Sequence, residues 1–131
     1  MSNPVRYVVA VMAGLLAWVV VATLGDWVLR ALIPGYRAEE IAISFSLHAQ
    51  LARLALGLAS TIAAGALTAA LSRGRVGAAL AMGCVLLALF VPAHVSLWHR
   101  FPIWYHLFFL VSLPVGAYAA GLLVASRRTP T

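Results

Sequence analysis

Polar residues divide this chain into four long apolar runs. Charge-free stretches extend from Tyr7 to Gly25, Leu54 to Ser72, Val76 to Ala93 and Leu107 to Ser126, each 18 to 20 residues long. At 1.5 Å per residue such a run makes a helix about 27 to 30 Å long, the thickness of a bilayer's hydrocarbon core. The pattern predicts an all-α polytopic membrane protein: one transmembrane domain, residues 1–131, built as an antiparallel bundle of four transmembrane helices.

Turn residues set the expected helix limits at about 5–33, 38–71, 76–98 and 102–126. Pro34 and Gly35 stop the first helix. Glu39 and Glu40 suit the first turn of the second, where carboxylates oppose the positive end of the helix dipole. Gly74 is placed to take the left-handed conformation that ends that helix and turns the chain into the third. Pro102 fits the first position of the fourth, where a missing N–H is no loss. Pro92 and Pro114 fall inside helices and predict kinks.

Composition agrees with this reading. Apolar residues make up 64% of the 131 positions and charged residues 9%, outside soluble globular usage. All nine basic residues are Arg against three acidic ones, a net charge of +6. Basic residues at helix ends set topology before they serve any nucleic-acid role, so no nucleic-acid partner is expected. Cys84, the one cysteine, sits mid-span and reads as a small packing residue. The first apolar run exceeds the core of a signal peptide and follows only Arg6, so it reads as a retained span.

Arginine placement orients the bundle. Arg6, Arg73, Arg75, Arg127 and Arg128 fall on one side, against Arg37 and Arg100 in the loops of the other. The five-arginine side is expected to be cytoplasmic, with both termini inside. Counted from those arginines, Asp26, Arg53, His94 and His106 lie 19 to 21 residues along their helices. They therefore share one depth near the outer boundary, roughly 28 to 32 Å up. Ionisable groups at that depth pair with each other or face inward. The candidate polar pocket is Asp26, Arg30, His48, Gln50, Arg53, His94 and His106, with an Asp26–Arg53 ion pair and Arg30 one turn from Asp26. The plainer reading makes these residues interface markers beside an aromatic belt of Trp27, Trp98, Trp104 and Tyr105.

On the second helix Ser46, Gln50, Arg53, Gly57, Ser60, Ala64 and Thr68 recur at spacings of three and four and share a face. Gly57, Ser60, Ala64 and Thr68 form a packing stripe, where small residues allow close approach and hydroxyls can bond across the contact. That stripe serves an internal seam or an oligomer seam. His48, His94 and His106 could hold a divalent metal, or ligate a haem. No H-E-x-x-H, C-x-x-C or C-x-x-C-H motif accompanies them, so no cofactor is expected. No nucleophile and base stand at motif spacing, which argues against a stand-alone enzyme.

The segment Trp98-His99-Arg100-Phe101-Pro102-Ile103-Trp104-Tyr105-His106, with Leu107 and Phe108 after it, resembles one found in small four-helix bacterial inner-membrane proteins of uncharacterised function. The resemblance implies a bacterial inner-membrane location and brings no activity with it. Together these features lead to an expected role as an accessory, assembly or interaction protein, its partners the lipid bilayer and either its own copies or a larger membrane complex. The alternative is a protein that binds or transports a ligand, ion, metal or haem through the outer polar pocket.

Overall fold

The computed structural model describes residues 1–129. They form α1 (Asn3–Leu32), α2 (Tyr36–Ala42), α3 (Leu47–Leu71), α4 (Val76–Ser96) and α5 (Ile103–Arg128), with a 3-10 turn at Trp98–Arg100 between the last two. The fold is all-α, and α1, α3, α4 and α5 are long and apolar enough to cross a membrane.

The helix expected over 38–71 is two helices. Ile43 adopts a left-handed conformation, φ +49°, and its N–H reaches back to the carbonyls of Glu39 and Glu40, closing α2. Ser46 then caps α3, its Oγ accepting from the Ala49 N–H. Glu39 accepts from both the N–H and the hydroxyl of Ser46, at 2.9 and 3.2 Å, and fastens the break. A short hydroxyl side chain at an N-cap satisfies a backbone donor that the first turn leaves open. Ser46 is therefore a cap and not a member of the α3 stripe. The other limits shift by a few residues, and Pro102 is the residue before the first turn of α5 rather than within it. Both α4 and α5 continue as helix through Pro92 and Pro114.

Helix α3 is the packing centre. It touches α1, α4 and α5, and α4 in turn contacts α1 and α5. Gly57, Ser60, Ala64 and Thr68 are all buried there. A Cβ added at Gly65 would lie 2.9 Å from the Ala117 backbone, and one at Gly83 2.7 Å from the Leu113 carbonyl oxygen. Glycine thus sets how closely α5 approaches both α3 and α4. Ser60 and Thr68 donate to carbonyls of their own helix, Leu56 O and Ala64 O, rather than across the seam. The crossing bond comes from Trp18 Nε1, which donates to Thr61 Oγ1 at 3.0 Å. Cys84, expected as a packing residue, lies on an exposed face.

Contacts sort the helix ends into two groups. At one, Tyr7 OH donates to Gly77 O and Arg128 Nη2 donates to Ala70 O. The turn between α3 and α4 lies there, with Arg73 and Gly74 both at positive φ. At the opposite end lie α2, the 3-10 turn and a dense polar cluster.

Candidate functional site

Five helices supply the polar cluster. Arg30, near the end of α1, grips Glu40 of α2 with two parallel bonds, Nε to Oε2 at 2.8 Å and Nη2 to Oε1 at 2.7 Å. Its Nη2 also lies 2.8 Å from Asp26 Oδ2, one turn back on α1. Such forked pairing fixes geometry as well as charge. It holds the Glu40 carboxyl below its ordinary value, an effect that partial burial opposes.

Tyr36 links this ion pair to α3. Its hydroxyl donates to Asp26 Oδ1 at 3.0 Å and accepts from Arg53 Nη1 at 2.8 Å. Arg53 and Asp26 themselves stand 3.8 Å apart, so the phenol carries the closer connection. Burial is the main reason the Tyr36 hydroxyl is pushed up to about 12, with Arg53 pulling the other way. Arg53 is further held by Phe45, whose ring centroid lies 4.6 Å from its guanidinium carbon, a cation–π contact. Its Nε donates to Tyr105 OH of α5 at 3.4 Å, a long bond.

Beyond Tyr105 lies a histidine pair. His94 Nδ1 of α4 and His106 Nδ1 of α5 are 2.7 Å apart, and His106 Nε2 is 3.1 Å from the Trp98 carbonyl oxygen. A carbonyl only accepts, so Nε2 of His106 carries the hydrogen and its Nδ1 is the acceptor for the neutral ring. His94 consequently donates through Nδ1, leaving its Nε2 as a bare lone pair. The two rings are wedged among aromatics, His94 stacked on Phe109 and His106 on Trp98, with centroids 4.7 Å apart in each case.

These groups border two adjoining spaces. A cleft of about 370 Å³ has Asp26, Arg30, Glu40 and Arg53 at its mouth and Trp18, Ala22, Leu56, Phe90 and Phe109 along its walls. A smaller cavity of about 130 Å³ is lined by Arg53, His94, Tyr105 and His106 with Phe90, Ala93, Leu97, Phe101 and Phe109. Arg53, Phe90, Tyr105 and Phe109 line both.

The structure brings together Asp26, Arg30 and Arg53 in one network and His94 and His106 in a second, with Tyr105 bonded to Arg53 and its ring centroid 6.3 Å from that of His94. Two other pocket candidates fall outside. His48 is exposed on the first turn of α3, and Gln50 turns its Nε2 to the Phe45 carbonyl at 3.0 Å. Tyr36, Glu40 and Tyr105 are the participants that sequence reasoning misses. Trp27, Trp98 and Trp104 are 59%, 37% and 44% exposed, as a belt requires, but Tyr105 is only 4% exposed.

Among the described residues no three His, Cys, Asp or Glu side chains converge as metal ligands. Two imidazole nitrogens sharing a tetrahedral zinc at its usual bond length stand roughly 3.3 Å apart. The 2.7 Å His94–His106 contact is instead a hydrogen bond.

Compared with known proteins, the chain matches no protein-family model, no curated protein and no solved structure.

Proposed function

We propose that the chain is a small multi-pass membrane protein that binds an amphiphilic ligand in the cleft at the outer end of its helices. The observation that carries the reading is the cleft's polarity gradient: a charged mouth at Asp26, Arg30, Glu40 and Arg53, and apolar walls running down to Trp18. Ligand sites of this size combine apolar lining with a few converging polar groups that fix orientation.

The setting is an antiparallel four-span bundle in a bacterial inner membrane, both termini cytoplasmic. Four apolar helices of sufficient length support insertion. The gathering of Tyr7, Ala70, Gly77 and Arg128 at one end supports the alternation of helix direction. With the five-arginine end inside, the cleft opens toward the outer leaflet.

A role in association draws less support. The small-residue stripe of α3, which by itself favours a seam between copies or with a larger complex, is occupied by α1 and α5 of the same chain.

The test is tryptophan quenching in lipid nanodiscs by a brominated single-chain amphiphile. Trp18 and Trp27 line the cleft, so quenching is expected to saturate at one ligand per chain. Ala22→Phe, which fills the cleft wall, should abolish the saturable part while leaving the helical circular dichroism unchanged. Quenching that only tracks bulk bromide content, in both proteins alike, overturns the reading.

A further inference from the structure

Resting on the cleft reading, we infer that the ligand is a single-chain amphiphile with an oxyacid head, a carboxylic acid or a phosphate monoester. The 130 Å³ cavity at the top of the cleft is where such a head fits.

The inference comes from which polar atoms in the cavity are already used. Arg53 spends Nε on Tyr105 and Nη1 on Tyr36; among the described residues its Nη2 has no acceptor. Tyr105 accepts from Arg53, and its own hydroxyl hydrogen has no acceptor among those residues. Both point to a bound oxygen that takes hydrogen bonds from a guanidinium and a phenol. On the other side, the tautomers fixed by the Trp98 carbonyl leave Nε2 of His94 as an acceptor with no protein donor. It calls for an O–H. A group that accepts at one oxygen and donates from another, within one small cavity, is an oxyacid.

Charge balance agrees. Arg30 already serves both carboxylates, Asp26 and Glu40, so with Arg53 the cleft holds two positive and two negative groups. A cationic head would add unpaired positive charge beside Arg53. A carboxylic acid arriving with its proton adds none and a singly protonated phosphate monoester adds one negative charge beside Arg53, whose Nη2 supplies a charge-assisted bond to either. Phe90 and Phe109 line both spaces, which lets the tail pass from the head cavity down the apolar walls.

Isothermal titration of the full chain in nanodiscs, corrected against empty nanodiscs, separates the outcomes. The probes are dodecanoic acid, methyl dodecanoate, dodecyltrimethylammonium and acetic acid. Dodecanoic acid is expected to bind one per chain, at least about tenfold more tightly than the ester or the cation. Arg53→Gln should remove that preference, Arg53→Lys should restore part of it, and Tyr105→Phe should weaken acid binding about fivefold. Equal binding of acid, ester and cation overturns the head assignment while leaving the cleft reading intact. Acetic acid binding as tightly as dodecanoic acid assigns the cavity to a free oxyacid and overturns the tail. Saturable quenching by the brominated amphiphile with no dodecanoic acid binding also overturns the head; no binding by either method removes the cleft reading itself.

Discussion

The Tyr36 hydroxyl stands 2.8 Å from Arg53 Nη1 and, by bonding Asp26 as well, places one phenol between an arginine of α3 and an aspartate of α1. The direct Asp26–Arg53 separation is 3.8 Å. A phenol that accepts from one ion and donates to the other does the work an ion pair alone would do less well at a part-exposed site.

Tyr36→Phe is therefore expected to destabilise the chain by about 1–2 kcal/mol, because it leaves two charged partners short of a hydrogen bond in a partly desolvated setting. Unfolding in mixed micelles with increasing sodium dodecyl sulfate measures this. Tyr36 is fully buried, and Phe keeps the ring in place, so a change below about 0.5 kcal/mol would show that the Asp26–Arg53 attraction suffices unaided.

Level along the bundle was legible in the chain where direction around each helix was not. Rise per residue is fixed, so counting from the arginines predicts the shared level of Asp26, Arg53, His94 and His106. Azimuth is harder. Neighbouring residues differ by about 100° around a helix, and so Trp104 is exposed while Tyr105 beside it is buried. An interfacial aromatic belt predicts both alike. The α2–α3 break was hidden for a different reason: it rests on Ile43 at φ +49°, a conformation β-branched residues rarely adopt. Ser46 and Glu39 carried the signal for it, as a cap with a carboxylate partner. Once α2 is a separate element, Tyr36 and Glu40 swing into the site and His48 moves out of it.

The tie between Arg30 and Glu40 has a pH signature. Glu40 is depressed by Arg30, so in the native state it stays ionised below the ordinary glutamate range. Its contribution is present above the unfolded value of 4.5 and is lost as pH falls through the lower native value. Amide protection in α2, corrected for the pH dependence of intrinsic exchange, is expected to fall over that acid window, and in Glu40→Gln it should be low already at neutral pH and flat across it. Tyr36 acts at the other extreme. With its native value near 12 against 10 unfolded, its contribution is intact below 10 and declines as pH rises from 10 through 12. An acid-insensitive α2 in the native chain would contradict the forked pairing.

Glycine spacing offers a test of the seam between α4 and α5. A side chain at Gly83 meets the Leu113 carbonyl oxygen at 2.7 Å, backbone that a rotamer change cannot move, whereas a Cβ at Gly77 meets nothing within 4 Å. Gly83→Leu is expected to cost at least about 1–3 kcal/mol, the usual penalty of overpacking, because the helices must separate. Gly77→Ala should be neutral or stabilising by up to about 1 kcal/mol, from helix propensity alone. A Gly83→Leu variant as stable as Gly77→Ala would mean that helix propensity, not close approach, governs these positions.

Orientation is the remaining physical question with a single decisive readout. Five arginines stand at the end that gathers Tyr7, Gly77 and Arg128, while Arg37 in α2 and Arg100 in the 3-10 turn stand at the cleft end. Cationic side chains flanking short loops are retained in the cytoplasm, and the cleft-end arginines Arg30 and Arg53 are matched in charge by Asp26 and Glu40, with two phenols accepting hydrogen bonds from Arg53. A reporter fused after Thr131 is expected to read as cytoplasmic, and one inserted between Pro34 and Gly35, in the turn before α2, as external. Reversed signals would place the cleft on the inner leaflet and change the pool of amphiphiles it meets. Replacing Arg73 and Arg75 together by Gln weakens the bias at the turn between α3 and α4, so a mixed orientation in that variant is the outcome that ties topology to those two side chains.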